Sequence, residues 1–299
     1  MEINDYIRAN WVFFKQIYND ETVLNAVKEE IFGETKKLLK YADLLLEGKW
    51  SKLEGMPPIF ILSTLALCLK PTYDRFIRMG LSESVFYDTM SDIKIWGEDY
   101  RNHHNGEIGL TEINWLYLHV NCEIFKIGRL QYQIGKFYFN KSAEIAGRTI
   151  KYGDKCYFIH IPRGAKLDSV SCKKSITLAT DTLGDIFKDI QTDVMMCQSW
   201  LLSPKNMNFV AKDSNIAKFA NMFSLTSESE GAEQHFRWIF DIIADEKTFA
   251  KNKKKLGYYM DLSKFNATTS LQKAAKDYVM AGGEFSSGKG LLVTKDIIG

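Results

Sequence analysis

The chain has 299 residues, 45% hydrophobic and 13% aromatic, with only 5 Pro and 20 Gly. That composition excludes a disordered, collagenous or low-complexity protein and suits one large domain or two average ones. Lys plus Arg (39) nearly balances Asp plus Glu (37), so no global field draws in nucleic acid or an anionic membrane, and any polyanionic ligand needs a local site.

Up to about Cys122 the sequence reads as helix. Ile17, Leu24, Val27 and Ile31 recur at helical spacing, as do Leu38, Leu39, Ala42, Leu45 and Leu46, with charges on the opposite face. Gly48 and Gly55-Met56-Pro57-Pro58 punctuate these helices; the proline pair opens an apolar helix that Pro71 is expected to end. After Gly80, Val85, Phe86, Met90, Ile93 and Trp96 form one stripe. The spacing predicts a bundle of about five helices.

The period then changes to two. FKIGRLQYQIGKFYF at 125–139 predicts a hairpin with Gly135-Lys136 as its turn. CYFIHI at 156–161 predicts a strand, 162–168 a loop, and Ile176, Ala179, Leu183, Ile186 and Ile190 the inner face of a helix. The apolar run DVMMCQSWLL at 193–202 predicts a strand covered on both faces, parallel to the one before the helix through a right-handed crossover. Residues 204–222 read as helix, 223–243 as two strands, and KNKKK at 251–255 as a solvated loop. Thr269 and Gln272 form a capping box for a helix over 269–281, and the glycine-rich stretch 283–293 ends in a strand. The expectation is an α+β chain: a helical domain over 1–122, then a mixed α/β domain over 123–299.

Cys68, Cys122, Cys156, Cys172 and Cys197, odd in number and in no C-x-x-C pair, read as buried thiols rather than a disulfide frame or zinc site. MEINDYIRANW carries acidic residues where a signal peptide has basic ones, and the longest apolar run, Ile59 to Leu69, is about half a bilayer span. A cytoplasmic protein with neither membrane nor nucleic-acid partner is expected.

The most informative segment is FIHIPRGAKLDS at 158–169, where a strand runs through a short loop into a helix. A helix start presents unpaired N–H groups; Arg163 and Lys166 add two cations, Gly164 permits close backbone approach, and Ser169 stands at the helix start, an arrangement that suits a pyrophosphate. An ordinary strand-to-helix turn with Asp168 or Ser169 as N-cap explains the same residues. His160, one side chain before the loop, is a candidate general base or a core histidine. Ser199 and Trp200 end the next strand, where open α/β sheets bind ligands: Ser199 could hydrogen-bond a substrate carbonyl, and Trp200 could wall an acyl or pantetheine arm or pack in the core. His103-His104 sits in a polar stretch, RNHHNGE, read as a loop without a carboxylate at ligand spacing, so no metal site is expected. His119 reads as a core histidine, and His235 is open to either role.

The order hairpin, strand, loop with helix, strand, helix resembles the GNAT (GCN5-related N-acetyltransferase) core. More closely, the chain resembles bacterial acyltransferase-domain proteins with a helical N-terminal and a GNAT-like C-terminal domain. The resemblance rests on GLSESVFYDTMSDIKIW at 80–96, WLYLHV at 115–120, FKIGRLQYQ at 125–133, FIHIPRG at 158–164, SWLLSP at 199–204, DSNIAKF at 213–219 and TSLQKAAKDYVMAGGEFSSGKGLL at 269–292. It implies an N-acyltransferase moving an acyl group from acetyl-CoA or another acyl-CoA, a co-substrate, to an amine of a small molecule or peptide by direct attack. The 162–169 loop would then hold the coenzyme A pyrophosphate, with no metal involved. A GNAT-like module without catalysis that binds a ligand or partner is the alternative.

Overall fold

The computed structural model describes residues 3–145, 147–231, 233–242 and 262–298. The chain divides into two compact units. One runs from Met1 to Ile134 and takes in Ile161–Ala165; the other comprises Gly135–His160 and Lys166–Gly299.

The first unit is mainly helical, with α1 (Ile3–Ile17), α2 (Glu21–Gly33), α3 (Thr35–Leu46), α4 (Pro58–Ala66), α5 (Leu69–Arg78), α6 (Glu83–His103) and α7 (Ile113–Val120). The expected five become seven among the described residues: one added break follows Gly33, the last residue of α2, and the other falls at Leu67-Cys68, where the sequence has neither Gly nor Pro. Pro71 does not end a helix; it sits in the first turn of α5, where its missing N–H is one that no helix would satisfy. Asp20 caps α2, accepting from the Thr22 and Val23 amides at 2.9 and 3.3 Å, and Ser82 caps α6. The core centres on Phe86, met edge-on by Phe13, Tyr73 and Phe76 at 5.2–5.7 Å between ring centroids.

Strands β1 (Ile124–Ile127) and β2 (Leu130–Lys136) form the expected hairpin, but its turn is Gly128-Arg129, fixed by the pair Ile127↔Leu130. Gly128 takes φ 67°, as two-residue hairpin turns require. Gly135 lies within β2 for another reason: a Cβ there would stand 2.6 Å from the Phe158 ring. On α6, Asp92 is buried with His119 Nε2 at 3.0 Å and Trp115 Nε1 at 3.1 Å. Burial opposes its charge, yet the hydrogen bond and charge of His119 hold the carboxyl below its ordinary range. His119 is thus a partnered core histidine.

The second unit contains the hairpin β3 (Ser142–Ile145) and β4 (Arg148–Lys151), then β5 (Lys155–His160), α8 (Ser169–Ile186), β6 (Val194–Ser199), α9 (Asn215–Ala220), β7 (Ser224–Glu230), α10 (Glu233–Phe240), α11 (Ser270–Met280), β8 (Ser286–Val293) and α12 (Lys295–Ile298). Its sheet is mixed, in the order β5-β6-β8-β7: β5 and β6 are parallel, and β8 is antiparallel to both neighbours. The fold class is therefore as expected, a helical region followed by a mixed sheet with helices. The capping box of α11 is present as well, Thr269 Oγ1 accepting from the Gln272 amide at 3.1 Å and Gln272 Oε1 from the Thr269 amide at 3.2 Å.

Two stretches differ from expectation. Among the described residues of 223–243 only β7 is strand; EQHFRWIF at 233–240 is helix α10, whose buried His235, Phe236, Ile239 and Phe240 recur with period 3.6. Of 204–222, only Pro204–Asn208 (a 3-10 turn) and α9 are helical. The KNKKK run lies outside the described residues. No described helix is long and apolar enough to cross a membrane.

The glycines of β8 serve packing. A Cβ at Gly288 would lie 2.3 Å from the carbonyl oxygen of Leu202, in the 3-10 turn Trp200–Leu202 that follows β6. Gly288→Ala should cost about 1–3 kcal/mol in chemical denaturation, since backbone rather than a flexible side chain must yield. Gly33→Ala, in α2 with no atom within 4 Å of the added carbon, should be neutral or stabilising by about 0.5–1 kcal/mol. Equal effects of the two changes would contradict this account.

Candidate functional site

The parallel register of β5 and β6 consists of Tyr157↔Met195 and Phe158↔Met196, and it stops short of His160 and Ser199. Strand β6 meanwhile keeps its antiparallel register with β8 from Val194↔Val293 through Ser199↔Gly288. The carboxyl ends of two parallel strands are where ligands enter open α/β sheets.

Side chains alternate between faces along a strand. Phe158 and Met196 lie opposite one another and share a buried cluster with Cys156, Val194 and Leu291. His160 therefore falls on the face of Gln198, whereas Ser199 falls on the other face with Cys197 and Ile159. The structure thus separates two residues that the sequence reading sent to one site.

His160, half-buried, stacks toward Phe158 at 6.5 Å between centroids, and Phe158 in turn stacks on Tyr138 at 5.3 Å. Tyr138 donates its hydroxyl to Gln198 Oε1 at 2.8 Å, and Lys289 Nζ lies 5.8 Å from the Tyr138 ring. Partial burial, and secondarily Cys197, raise the Tyr138 phenol above the ordinary tyrosine range. Tyr138, Gln198 and Lys289 were missed because the signal joining them is sheet register, which three separated segments do not display. Ser199 Oγ accepts from the Leu201 amide at 3.2 Å and is buried. Trp200 is also buried; its amide donates to Gln234 Oε1 at 2.8 Å, its carbonyl accepts from Asn206 Nδ2 at 2.7 Å, and its ring meets His235 edge-on at 5.2 Å.

In the loop after β5, Arg163 forms an ion pair with Asp99 of α6, a carboxylate only 6% exposed. His103 Nδ1 lies 3.9 Å from the same Asp99 oxygen. The RNHHNGE stretch is not all loop: α6 continues through His103, which sets Asp99 one turn behind it. From the hairpin turn, Arg129 donates Nη1 to the Pro162 carbonyl at 2.9 Å and Nη2 to the Ala165 carbonyl at 2.8 Å. Gly164 adopts φ 97°, a conformation that glycine alone takes readily, and space is open around it. Asp168 caps α8, Oδ1 accepting from the Ser171 amide at 2.8 Å, and Ser169 is the first helical residue. A carboxylate thus occupies the helix start.

His235 is fully buried. Its Nε2 meets Asn206 Oδ1 at 3.1 Å, its ring stacks on Phe285 at 4.2 Å and 7°, and Nδ1 finds no hydrogen-bond partner among the described residues. Burial pushes its pKa down to about 3, so the ring stays neutral. The five cysteines are buried and form no disulfide; burial pushes the thiols of Cys122, Cys156 and Cys197 up to about 12, which disqualifies them as nucleophiles. Among the described residues, no three His, Cys, Asp or Glu side chains group as a metal site.

A helical region ahead of a mixed sheet with one parallel strand pair and an α-helical crossover defines the class of the chain. Residues 124–292 match the GNAT-like C-terminal domain, and residues 14–122 match the N-acyltransferase N-terminal domain. The chain belongs to the family defined by that GNAT-like C-terminal domain. Its backbone is similar to that of an acyltransferase in complex with decanoyl-CoA and teicoplanin (TM-score 0.65, 17% identity, 79% of this chain and 66% of that one). It is also similar to an acyltransferase in complex with CoA and 10C-teicoplanin (0.65, 16%, 79% and 66%) and to one with decanoyl-CoA (0.64, 19%, 78% and 65%). The likeness is one of fold, and this chain spans about two thirds of the length of those chains. None of the curated proteins matches it in sequence.

The His235 environment sets a pH dependence. Its folded pKa lies below the unfolded value of about 6.5, so its contribution is complete above that value and fades as pH falls toward 3. Acidification from pH 7 to 5 should remove about 2 kcal/mol of folding stability through this residue. His235→Phe should flatten that part of the stability–pH curve, and an unchanged slope in the folded variant would refute the assignment.

Proposed function

We propose that this chain transfers an acyl group from an acyl-CoA to an amine of a small molecule or peptide by direct attack, with the chemistry in residues 123–299 of a cytoplasmic enzyme. The observation that carries the reading is the β5–β6 register ending before His160 and Ser199, beside a glycine loop with Lys166. An extended pantetheine arm, with two amides, can use strand backbone as another strand would. Gly164, Lys166 and Ser169 are proposed for the pyrophosphate. Arg163 is proposed for the same role, although its guanidinium also serves Asp99.

His160 is the proposed general base. It takes one proton from the acceptor ammonium, the amine nitrogen attacks the thioester carbonyl, and the C–S bond breaks as the sulfur leaves; the second proton of the attacking nitrogen passes to the Tyr138 oxygen as that phenol gives its own to the sulfur, which leaves an amide, coenzyme A thiol and protonated His160. Tyr138, held protonated on the same face, is the proton source for that sulfur. Ser199 and Trp200 are proposed to bound the acyl side from the opposite face. Precedent for a peptide-class acceptor is the structural neighbour holding teicoplanin. A non-catalytic binding module is the second reading, favoured by the burial of Ser199 and Trp200.

His160→Gln should leave melting temperature and CoA affinity unchanged while lowering turnover at least about 100-fold. Loss of stability by about 1–3 kcal/mol with turnover per folded molecule preserved would identify a core histidine instead. Lys166→Glu should weaken CoA binding about 10-fold or more. The double change with Arg163→Glu should weaken it further and also destabilise the fold, because Asp99 loses its cation. Tight CoA binding without turnover on any amine would select the binding module.

A further inference from the structure

We propose that Arg129 is a positioning residue for the acyl-CoA loop, one that turns two backbone amides of 162–166 outward to receive a pyrophosphate; the inference rests on the acyl-CoA reading above. Its two guanidinium nitrogens hold the carbonyls of Pro162 and Ala165 at 2.9 and 2.8 Å, one on each side of Arg163-Gly164. Each carbonyl belongs to a planar trans peptide, in which the following N–H points the opposite way. Fixing the Pro162 oxygen on Arg129 therefore aims the Arg163 N–H away from Arg129, and fixing the Ala165 oxygen does the same for the Lys166 N–H.

The chain can hold both carbonyls to one guanidinium because Gly164, between them, adopts φ 97°. The Arg163 side chain anchors the loop from the other direction through Asp99. The planar fork of arginine spans two acceptors at once, which an ammonium does not. Position 129 also has a reason to be fixed: it is the second residue of a two-residue hairpin turn, directly after Gly128 at φ 67°.

The test compares wild type with Arg129→Met and Arg129→Lys. It measures the Kd of CoA by titration calorimetry and the Ki values of inorganic pyrophosphate and pantetheine as competitors. The expected result is about a 10-fold rise in the CoA Kd and pyrophosphate Ki for Arg129→Met, with the pantetheine Ki within twofold of wild type. Arg129→Lys, which keeps the charge but not the fork, should fall between the two and serves if the methionine variant does not fold. Unchanged CoA affinity in a folded variant, or an equal rise for pyrophosphate and pantetheine, would overturn the proposal while leaving the acyl-CoA reading intact. Wild type binding no CoA at all would overturn that reading and this proposal with it.

Discussion

The geometry of the second unit depends on one constraint, the parallel pairing of β5 and β6 that ends at Phe158↔Met196. Strand β6 continues past that point on its other edge, where it is held by β8 along its whole length. It cannot move away from β8: the turn after it brings the Leu202 carbonyl onto Gly288, where there is no space for a side chain. With β6 fixed, the end of β5 is free of that partner's register, and the sheet presents strand backbone at its carboxyl end. Parallel pairs show this at their ends because no hairpin closes them.

Alternation then sorts the chemistry. His160 stands on the face of Phe158 and Gln198, over which Tyr138 and Lys289 also lie. Ser199 stands on the other face with Ile159 and Cys197, all three buried. A one-residue slip of β6 would exchange Gln198 for Ser199, so register alone decides which polar group accompanies the histidine.

Much of this was legible in the sequence. The change from helical to strand periodicity near residue 123, the parallel crossover, the capping box at Thr269 and the strand–loop–helix at 158–169 all rest on local patterns, and local patterns survive folding. The errors arose where two periods compete or where a partner is distant. Gly128 and Gly135 both interrupt one continuous alternation, and only strand pairing distinguishes the hairpin turn at Gly128 from the close approach at Gly135. Helix α10 was read as strand because its aromatics alternate over a stretch too short to establish a 3.6 period. Tyr138 and Gln198 lie 60 residues apart and meet only through the sheet.

The loop after β5 is held by two arginines that the sequence places 34 residues apart. Arg163 is paired with Asp99, a carboxylate buried to 6% exposure that would be costly to leave uncompensated. Arg129, which carried no phosphate signal, holds the loop carbonyls instead. One arginine reaches out from the loop and another reaches in, and between them they fix a glycine turn whose backbone N–H groups are neutral donors. Under the proposed acyl-CoA reading, a chain with formal net charge +2 would meet the polyanion largely with oriented dipoles, and preorganised dipoles require no rearrangement on binding.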